Sequence, residues 1–260
     1  MFVLSLISSP ERPAVTDELV TAVAAALNHD AGTATWLAPG IACDLPLDGE
    51  DEAAGQAACK AARSLFAGAD VDINLVPAIN RRKKLLIADM DSTMIYQECI
   101  DELGIAAGAG EHIMEVTRRA MRGELDFVEA LNERVAFMKG LPEAAIHQVI
   151  EEKITFVPGG GTAVATMKAD GAYCALISGG FTQFTGHVAG ICGFDMHQAN
   201  QLIIEDGVLT GKVVQPALGS AAKVEALNRL TGEHGLGLAD AMAVGDGAND
   251  IAMLQAAGMG

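Results

Sequence analysis

Aromatic residues are scarce in this sequence: Phe, Trp and Tyr make up 4% of its 260 residues. A core must therefore rest on Ala, Val, Leu, Ile and Met, and together with 29 glycines this favours helices laid closely on a sheet with Gly-rich loops. Cysteine is sparse as well. The five thiols (Cys43, Cys59, Cys99, Cys174, Cys192) are odd in number and form no CxxC pair, which argues against a disulfide framework and for reduced, buried side chains. The six histidines (His29, His112, His147, His187, His197, His234) offer no HxxxH or His/Cys spacing, so zinc is not expected. Positive charge is in short supply. With 17 Lys and Arg against 34 Asp and Glu, the net charge of −17 repels polyanions and anionic head groups, which excludes nucleic-acid and membrane partners. No apolar run approaches the roughly 20 residues that span a bilayer. The opening MFVLSLISSPERP lacks the basic stretch of a signal peptide, so a cytoplasmic location is expected.

What is present is globular in kind, 50% hydrophobic and 20% charged. The pattern predicts an α/β protein in two parts. In residues 1–80, strands at Phe2–Ile7, Thr33–Leu37 and Val71–Val76 alternate with helices from Thr16 or Asp17 to Leu27 and from Glu50 to Phe66, and the Pro/Gly-rich stretch up to Gly49 reads as a loop. This α+β module is expected to be regulatory or dimerising, with a homodimer as one outcome. The run Asn80-Arg81-Arg82-Lys83-Lys84 reads as a solvated linker. In residues 81–260, a strand at Lys84–Ala88 precedes a helical stretch at about 96–155, broken by glycines, that reads as a cap. Helices at Thr162–Lys168, Thr182–Ala189, Ala221–Leu230 and Asp250–Ala256 then alternate with strands at Tyr173–Ile177 and Ala241–Val244. A hairpin is predicted over Ala199–Thr210 with Asp206-Gly207 at its turn. Apolar strands that end in polar residues and feed helices indicate a Rossmann-like parallel sheet with its site at the carboxyl ends of the strands.

Those ends carry Asp89 and Asp91, Ser178-Gly179-Gly180, and Asp246 with Asn249-Asp250, while Lys223 starts a helix between the last two. Any one Asp–Gly pair at a strand end is an ordinary turn former; the whole set in this order is not. Four carboxylates in one crevice need compensation, and a hard divalent cation such as Mg²⁺ supplies it. One carboxylate of the Asp89/Asp91 pair can attack phosphorus and the other can handle the proton of the leaving group and of water. Ser178, the Gly179 N–H and Lys223 can hold phosphate oxygens.

Asp89-x-Asp91-Ser92-Thr93, Ser178-Gly179-Gly180-Phe181, Lys223 and Gly245-Asp246-Gly247-Ala248-Asn249-Asp250 resemble the four motifs of the haloacid dehalogenase-like hydrolases, over residues 83–260. The cap stretch from Tyr96-Gln97-Glu98 through Met121-Arg122-Gly123 and Phe127 to Arg134 is similar to that of the family's phosphoserine phosphatases. The resemblance implies Asp89 as nucleophile and Mg²⁺ ligand, Asp91 as general acid/base whose carbonyl also reaches the metal, and Asp246 as the third ligand. It implies Asp250 in support of that metal or of Lys223, and Asn249 touching substrate. It also implies Glu98 receiving a substrate ammonium, Arg134 its carboxylate, and Met121 and Phe127 shielding the site. The implied activity is hydrolysis of O-phospho-L-serine to serine and phosphate, the last step of serine biosynthesis. Transfer to an alcohol such as homoserine, or action on another small phosphate monoester, stays open, as does a non-enzymatic receiver or sensor. The N-terminal module resembles ACT-like extensions in element order. Relatives continue past the position of Gly260 with a further strand and helix, which predicts an exposed sheet edge there.

Overall fold

A computed structural model describes residues 1–47 and 51–260. The chain forms two compact units, Met1–Arg81 and Arg82–Gly260. The first is built from β1 (Phe2–Ile7), α1 (Asp17–Ala26), β2 (Thr35–Ala38), β3 (Ala42–Leu47), α2 (Glu52–Leu65) and β4 (Asp72–Pro77). Its sheet runs β2-β3-β1-β4, with β1 antiparallel to both β3 and β4. Leu4, Leu6, Cys43, Leu45, Leu47 and Ile73 are buried together with Val20 and Val23 of α1 and Cys59 and Ala62 of α2. Thr16 caps α1 by accepting from the Leu19 N–H, and Asp51 caps α2 by accepting from the Ala53 N–H. The predicted start of that second helix at Glu50, like the predicted loop end at Gly49, lies outside the described residues.

The stretch before it departs from expectation. Ala42–Leu47 is a central strand rather than a loop, and it carries buried Cys43, Asp44 and Leu45. Pro46 disguised it, because proline is foreign to a central strand. β2 pairs only with Ala42–Asp44, so at Pro46 the strand has a ladder partner on the β1 side alone. The basic run is not a solvated linker either. Arg81 forms an ion pair with buried Asp44 in the first unit. In the second, Lys83 is 7% exposed and its Nζ donates to the Ala239 carbonyl at 2.6 Å, while the Lys84 N–H donates to the Asp240 carbonyl.

The second unit opens with β5 (Leu85–Ala88) and continues through α3 (Cys99–Ala106), α4 (Gly110–Met121), α5 (Phe127–Ala136) and α6 (Glu143–Lys153). These four helices leave and rejoin the core through one neck. Ile95 bridges Phe156, the Tyr96 N–H donates to the Thr155 carbonyl, and the Gln97 amide exchanges two hydrogen bonds with Thr155. Then follow α7 (Gly160–Ala169), β6 (Tyr173–Phe181), α8 (Thr182–Cys192), β7 (Met196–Asn200), β8 (Leu202–Glu205), β9 (Val208–Val213), α9 (Ala221–Glu233), β10 (Ala241–Val244) and α10 (Ile251–Ala256). The parallel sheet runs β10-β5-β6-β7, so the first strand lies inside and the crossovers wind in both directions from it. Its strands are buried on two faces, one against α8 and the cap helices and one against α9 and α10.

β7 is a strand the sequence pattern did not announce, because His197, Gln198 and Asn200 interrupt its apolar character. The hairpin therefore starts at Leu202 rather than Ala199. Its turn is at Asp206-Gly207 as predicted, where positive φ at both residues (50° and 76°) gives the twist a tight hairpin requires. The hairpin straps the cap: the Gly140 N–H donates to Leu209 O, the Leu209 N–H to Leu141 O, and the Glu143 N–H to Gly207 O. At the sheet's other end, Met259 exchanges backbone hydrogen bonds with Ala241 and Ala243, so the outer edge of β10 is partly paired. Among the described residues no helix is long and apolar enough to cross a membrane.

Candidate active site

Register brings the acidic segments together. Ala88 is level with Val244 on one side and Leu176 on the other, so the chains leaving β5 and β10 and the last third of β6 lie side by side. The Asp89 N–H donates to the Val244 carbonyl at 2.9 Å, which fixes the first residue past β5 beside Gly245-Asp246. After Asp89 the chain turns sharply: the N–H groups of Thr93, Met94 and Ile95 all point at the Met90 carbonyl, and Ser92 adopts φ +53°. β6 runs four residues further than the predicted Ile177, with a register shift between Ile177 and Phe181, and carries Ser178-Gly179-Gly180 into the same crevice.

Three groups form a buried charge cluster. Lys223, in the first turn of α9 and 3% exposed, sits 2.7 Å from Asp89 Oδ2 and 2.5 Å from Asp250 Oδ1. Asp250 is 0% exposed, and its second oxygen accepts from the Gly247 N–H at 3.0 Å. Asp89 Oδ1 accepts from the Met90 N–H at 2.8 Å. Thr93 donates to Asp246 Oδ1 at 2.8 Å and Ser92 donates to Glu98 Oε1 at 2.8 Å. Neither hydroxyl was picked out in the sequence as a partner, although both belong to the DxDST string.

Side-chain oxygens of Asp89, Asp246 and Asp250 lie within 4.8 Å of one another. Asp89 and Asp250 are each engaged on both oxygens, but Asp250 has no solvent exposure at all, so it acts as a brace for Lys223. Asp89 and the exposed Asp246 remain as the carboxylates able to share a cation, and an all-oxygen donor set suits a hard divalent ion. Asp91 is half-buried as a residue, yet its Oδ1 is sealed from solvent; the Cys99 thiol and N–H lie near this carboxyl, but no well-aligned hydrogen bond reaches Oδ1 among the described residues. An orphaned buried carboxylate oxygen carries a penalty that a proton, a cation or a substrate donor relieves.

Burial pushes Asp89 up to about 6, against the opposing pull of Lys223. It pushes Asp91 up to about 8, where the neighbouring Cys99 offsets part of the effect and the charges of Glu98 and Asp89 add to it. Both carboxyls bind protons more tightly folded than unfolded, so with no metal bound folding takes up protons and stability falls as pH rises from the carboxylate range to about 8. In EDTA, Tm near pH 5.5 should exceed Tm near pH 8 by at least about 2–4 °C, the shift that 1 kcal/mol produces at this size. Saturating divalent cation should raise Tm more at the higher pH. Scanning calorimetry that returned equal Tm values in EDTA would contradict the assigned burial.

Beyond the acidic pair, Glu98 precedes α3 and, though open to solvent on one side, is raised by desolvation and by the charges of Asp101 and Asp246, with Ser92 and Arg134 opposing. Arg134, on α5, is half-buried and lowered by desolvation, with Asp101 and Glu98 acting in its favour. Asp101 is thus a second acid around Arg134 that the sequence motifs did not reveal. Phe127 opens α5, placed by a capping box between Asp126 and Glu129. Its ring lies against Gly179: a Cβ there would come 2.6 Å from Phe127 Cζ, so only glycine admits the cap this close. Asn249 is half-buried in the Gly247–Asp250 turn. Met121 differs from expectation: as the last residue of α4 it stands in solvent, 84% exposed, rather than packed over the acidic residues.

Comparison with known proteins agrees with this architecture. The model of the haloacid dehalogenase-like hydrolase family matches residues 86–255. The phosphoserine phosphatase of Streptococcus thermophilus is 44% identical over 178 residues, covering 68% of this chain and 82% of that protein. Of some other curated phosphoserine phosphatases the chain spans only 44–56% of the length. Among solved structures, a phospho-aspartyl intermediate analogue of phosphoserine phosphatase superposes with TM-score 0.63 at 39% identity, covering 68% of this chain and 84% of that one. A HAD family hydrolase from Salmonella enterica serovar Typhi superposes with TM-score 0.81 at 28% identity over 99% of this chain and 87% of that one. The strand-end motifs, the helical insertion after β5 and these matches place the chain in the haloacid dehalogenase-like hydrolase family, close to members that bear the phosphoserine phosphatase name.

Proposed function

We propose that this protein is a phosphoserine phosphatase, hydrolysing O-phospho-L-serine through an aspartyl-phosphate on Asp89 and so completing serine biosynthesis. The observation that carries the reading is the placement of a paired acid and base, Glu98 and Arg134, next to a phosphoryl-transfer cluster of Asp89, Asp91, Ser178, Lys223 and Asp246. A phosphorylated amino acid presents one ammonium and one carboxylate beside its phosphate, and these two residues match them in sign. Phe127, seated on Gly179, closes the apolar side.

Asp89 Oδ attacks phosphorus and the P–O bond to the seryl oxygen breaks, while Asp91, protonated near neutral pH by its burial, delivers a proton to the departing oxygen. Asp91, now ionised, takes a proton from the water that attacks the acyl phosphate, which frees inorganic phosphate and restores Asp89. Ser178, the Gly179 N–H and Lys223 hold the phosphoryl oxygens, and Asp250 keeps Lys223 extended toward them. Mg²⁺ is the cofactor this reading requires; Asp89 and Asp246 would hold it through their side chains and Asp91 through its carbonyl. When bound it neutralises charge on the phosphoryl group. Asn249 contacts substrate from the turn after β10.

The test is a panel of phosphomonoesters assayed with and without Mg²⁺. Strong preference for O-phospho-L-serine, lost in EDTA, is expected; comparable turnover of sugar phosphates would overturn the substrate assignment. Arg134→Ala should raise KM for phosphoserine by roughly 10–150-fold, the value of a charge-assisted hydrogen bond, with a smaller change for an aryl phosphate that lacks a carboxylate. Equal losses on both esters would remove Arg134 from the carboxylate role.

A further inference from the structure

Asn200 ends β7, is 2% exposed, and belongs to none of the motifs that mark the site. Its carboxamide is nonetheless fully engaged. Nδ2 donates to the Gly179 carbonyl at 2.9 Å and to the Leu218 carbonyl at 3.3 Å, and Oδ1 accepts from the Leu218 N–H at 2.7 Å. Gly179 lies in the segment that faces phosphate, and Leu218 lies shortly before Ser220, the residue that precedes α9 and Lys223. One buried side chain thus joins the two stretches of chain that supply phosphate-binding groups, the end of β6 and the lead-in to α9.

The peptide that Asn200 grips is the one between Gly179 and Gly180. A trans peptide is planar, with its carbonyl and N–H on opposite edges, so fixing the Gly179 oxygen fixes the direction of the Gly180 N–H. That N–H donates to Ser178 Oγ at 2.9 Å. A hydroxyl whose oxygen is already accepting still has its own proton to give, and can direct it at an anion. Gly180 also lies beside Asp91: a Cβ on it would sit 3.1 Å from Ser178 Oγ and 3.1 Å from Asp91 Oδ2.

We infer that Asn200 is a positioning residue for phosphoryl transfer, holding the Gly179–Gly180 peptide so that the Ser178 hydroxyl points at the phosphate while keeping the loop before Lys223 in register. This rests on the phosphomonoesterase part of the proposed function and not on phosphoserine being the substrate. Asn200→Asp keeps the shape and the acceptor for the Leu218 N–H but replaces the donor to the Gly179 carbonyl by an oxygen. It should lower kcat/KM by about 10–100-fold, the cost of misplacing a reactive contact, on both O-phospho-L-serine and p-nitrophenyl phosphate. Inhibition by inorganic phosphate should weaken in parallel. Thr231→Ala, which removes a buried hydroxyl bonded within α9, should lower Tm without that loss. In a Ser178→Ala background Asn200→Asp should cost at least about threefold less than in the parent, because both changes act through one hydroxyl. Should the Asp variant fail to fold, Asn200→Ser carries the same measurements. A kcat/KM within twofold of the parent, or full additivity with Ser178→Ala, would overturn the inference. Parent enzyme active on the aryl ester but not on phosphoserine would refute the substrate assignment alone, leaving the aryl-ester comparison to decide the role of Asn200.

Discussion

Asp89→Asn should lose at least about 10⁴ in kcat/KM, because the amide cannot serve as the attacking carboxylate and no neighbour can take its place. Asp91 is held neutral by burial, Asp250 is wholly buried and paired with Lys223, and Asp246 is turned toward Thr93. The fold should survive. Asp89 is 6% exposed, and its Oδ1 accepts from the Met90 N–H while Oδ2 faces Lys223. An Asn can keep the first bond with its carbonyl oxygen, and Lys223 retains Asp250 as counter-ion. Initial rates with O-phospho-L-serine, combined with quenched digestion after reaction with labelled substrate, check this. The parent should yield a labelled peptide containing Asp89 and the variant none. Beryllium fluoride should likewise attach to the parent at Asp89 and not to the variant. Residual activity within tenfold, or label on a different peptide, would reassign the nucleophile.

The chemistry of this site was legible where strand ends carried it. Asp89, Asp91, Asp246 and Asp250 follow apolar strands, and a parallel sheet forces such ends to converge, so local spacing was enough to predict that they meet. Lys223 was legible only through its order in the motif series; the ion pair with Asp250, 27 positions away, is a consequence of α9 packing under the sheet. Other partners left no local trace. Thr93 reaches Asp246 across 153 positions, and Asn200 reaches Gly179 and Leu218 from a strand too polar to stand out. Asp101 looked like any acidic residue in a first helical turn, where the helix dipole alone would account for it. The same limitation hid β3. Pro46 and the glycines around it spell a loop, and only its ladder with β1 shows that Cys43, Leu45 and Leu47 alternate into the core. Met121 failed in the opposite direction: the motif around it is intact, but its place at the end of α4 leaves the side chain in water.

Asp91→Asn should separate O-phospho-L-serine from p-nitrophenyl phosphate. An alkoxide is a poor leaving group, and positioned proton donation is worth about 10²–10⁴-fold, so phosphoserine turnover should fall by that factor. The donor is suited to the task because its Oδ1 is sealed from water and unpartnered, and burial holds the carboxyl up to about 8, protonated when substrate arrives. p-Nitrophenolate departs without a proton, so with the aryl ester the first step should be nearly unaffected. The second step still needs a base for water, and Asn supplies none. The variant should therefore release a burst of nitrophenolate close to one equivalent per site, followed by slow steady-state turnover, where the parent shows no burst. Equal losses on both esters with no burst would mean that Asp91 shapes the site without moving a proton, and the orphaned oxygen would then mark a contact to the cation or the phosphate rather than an acid.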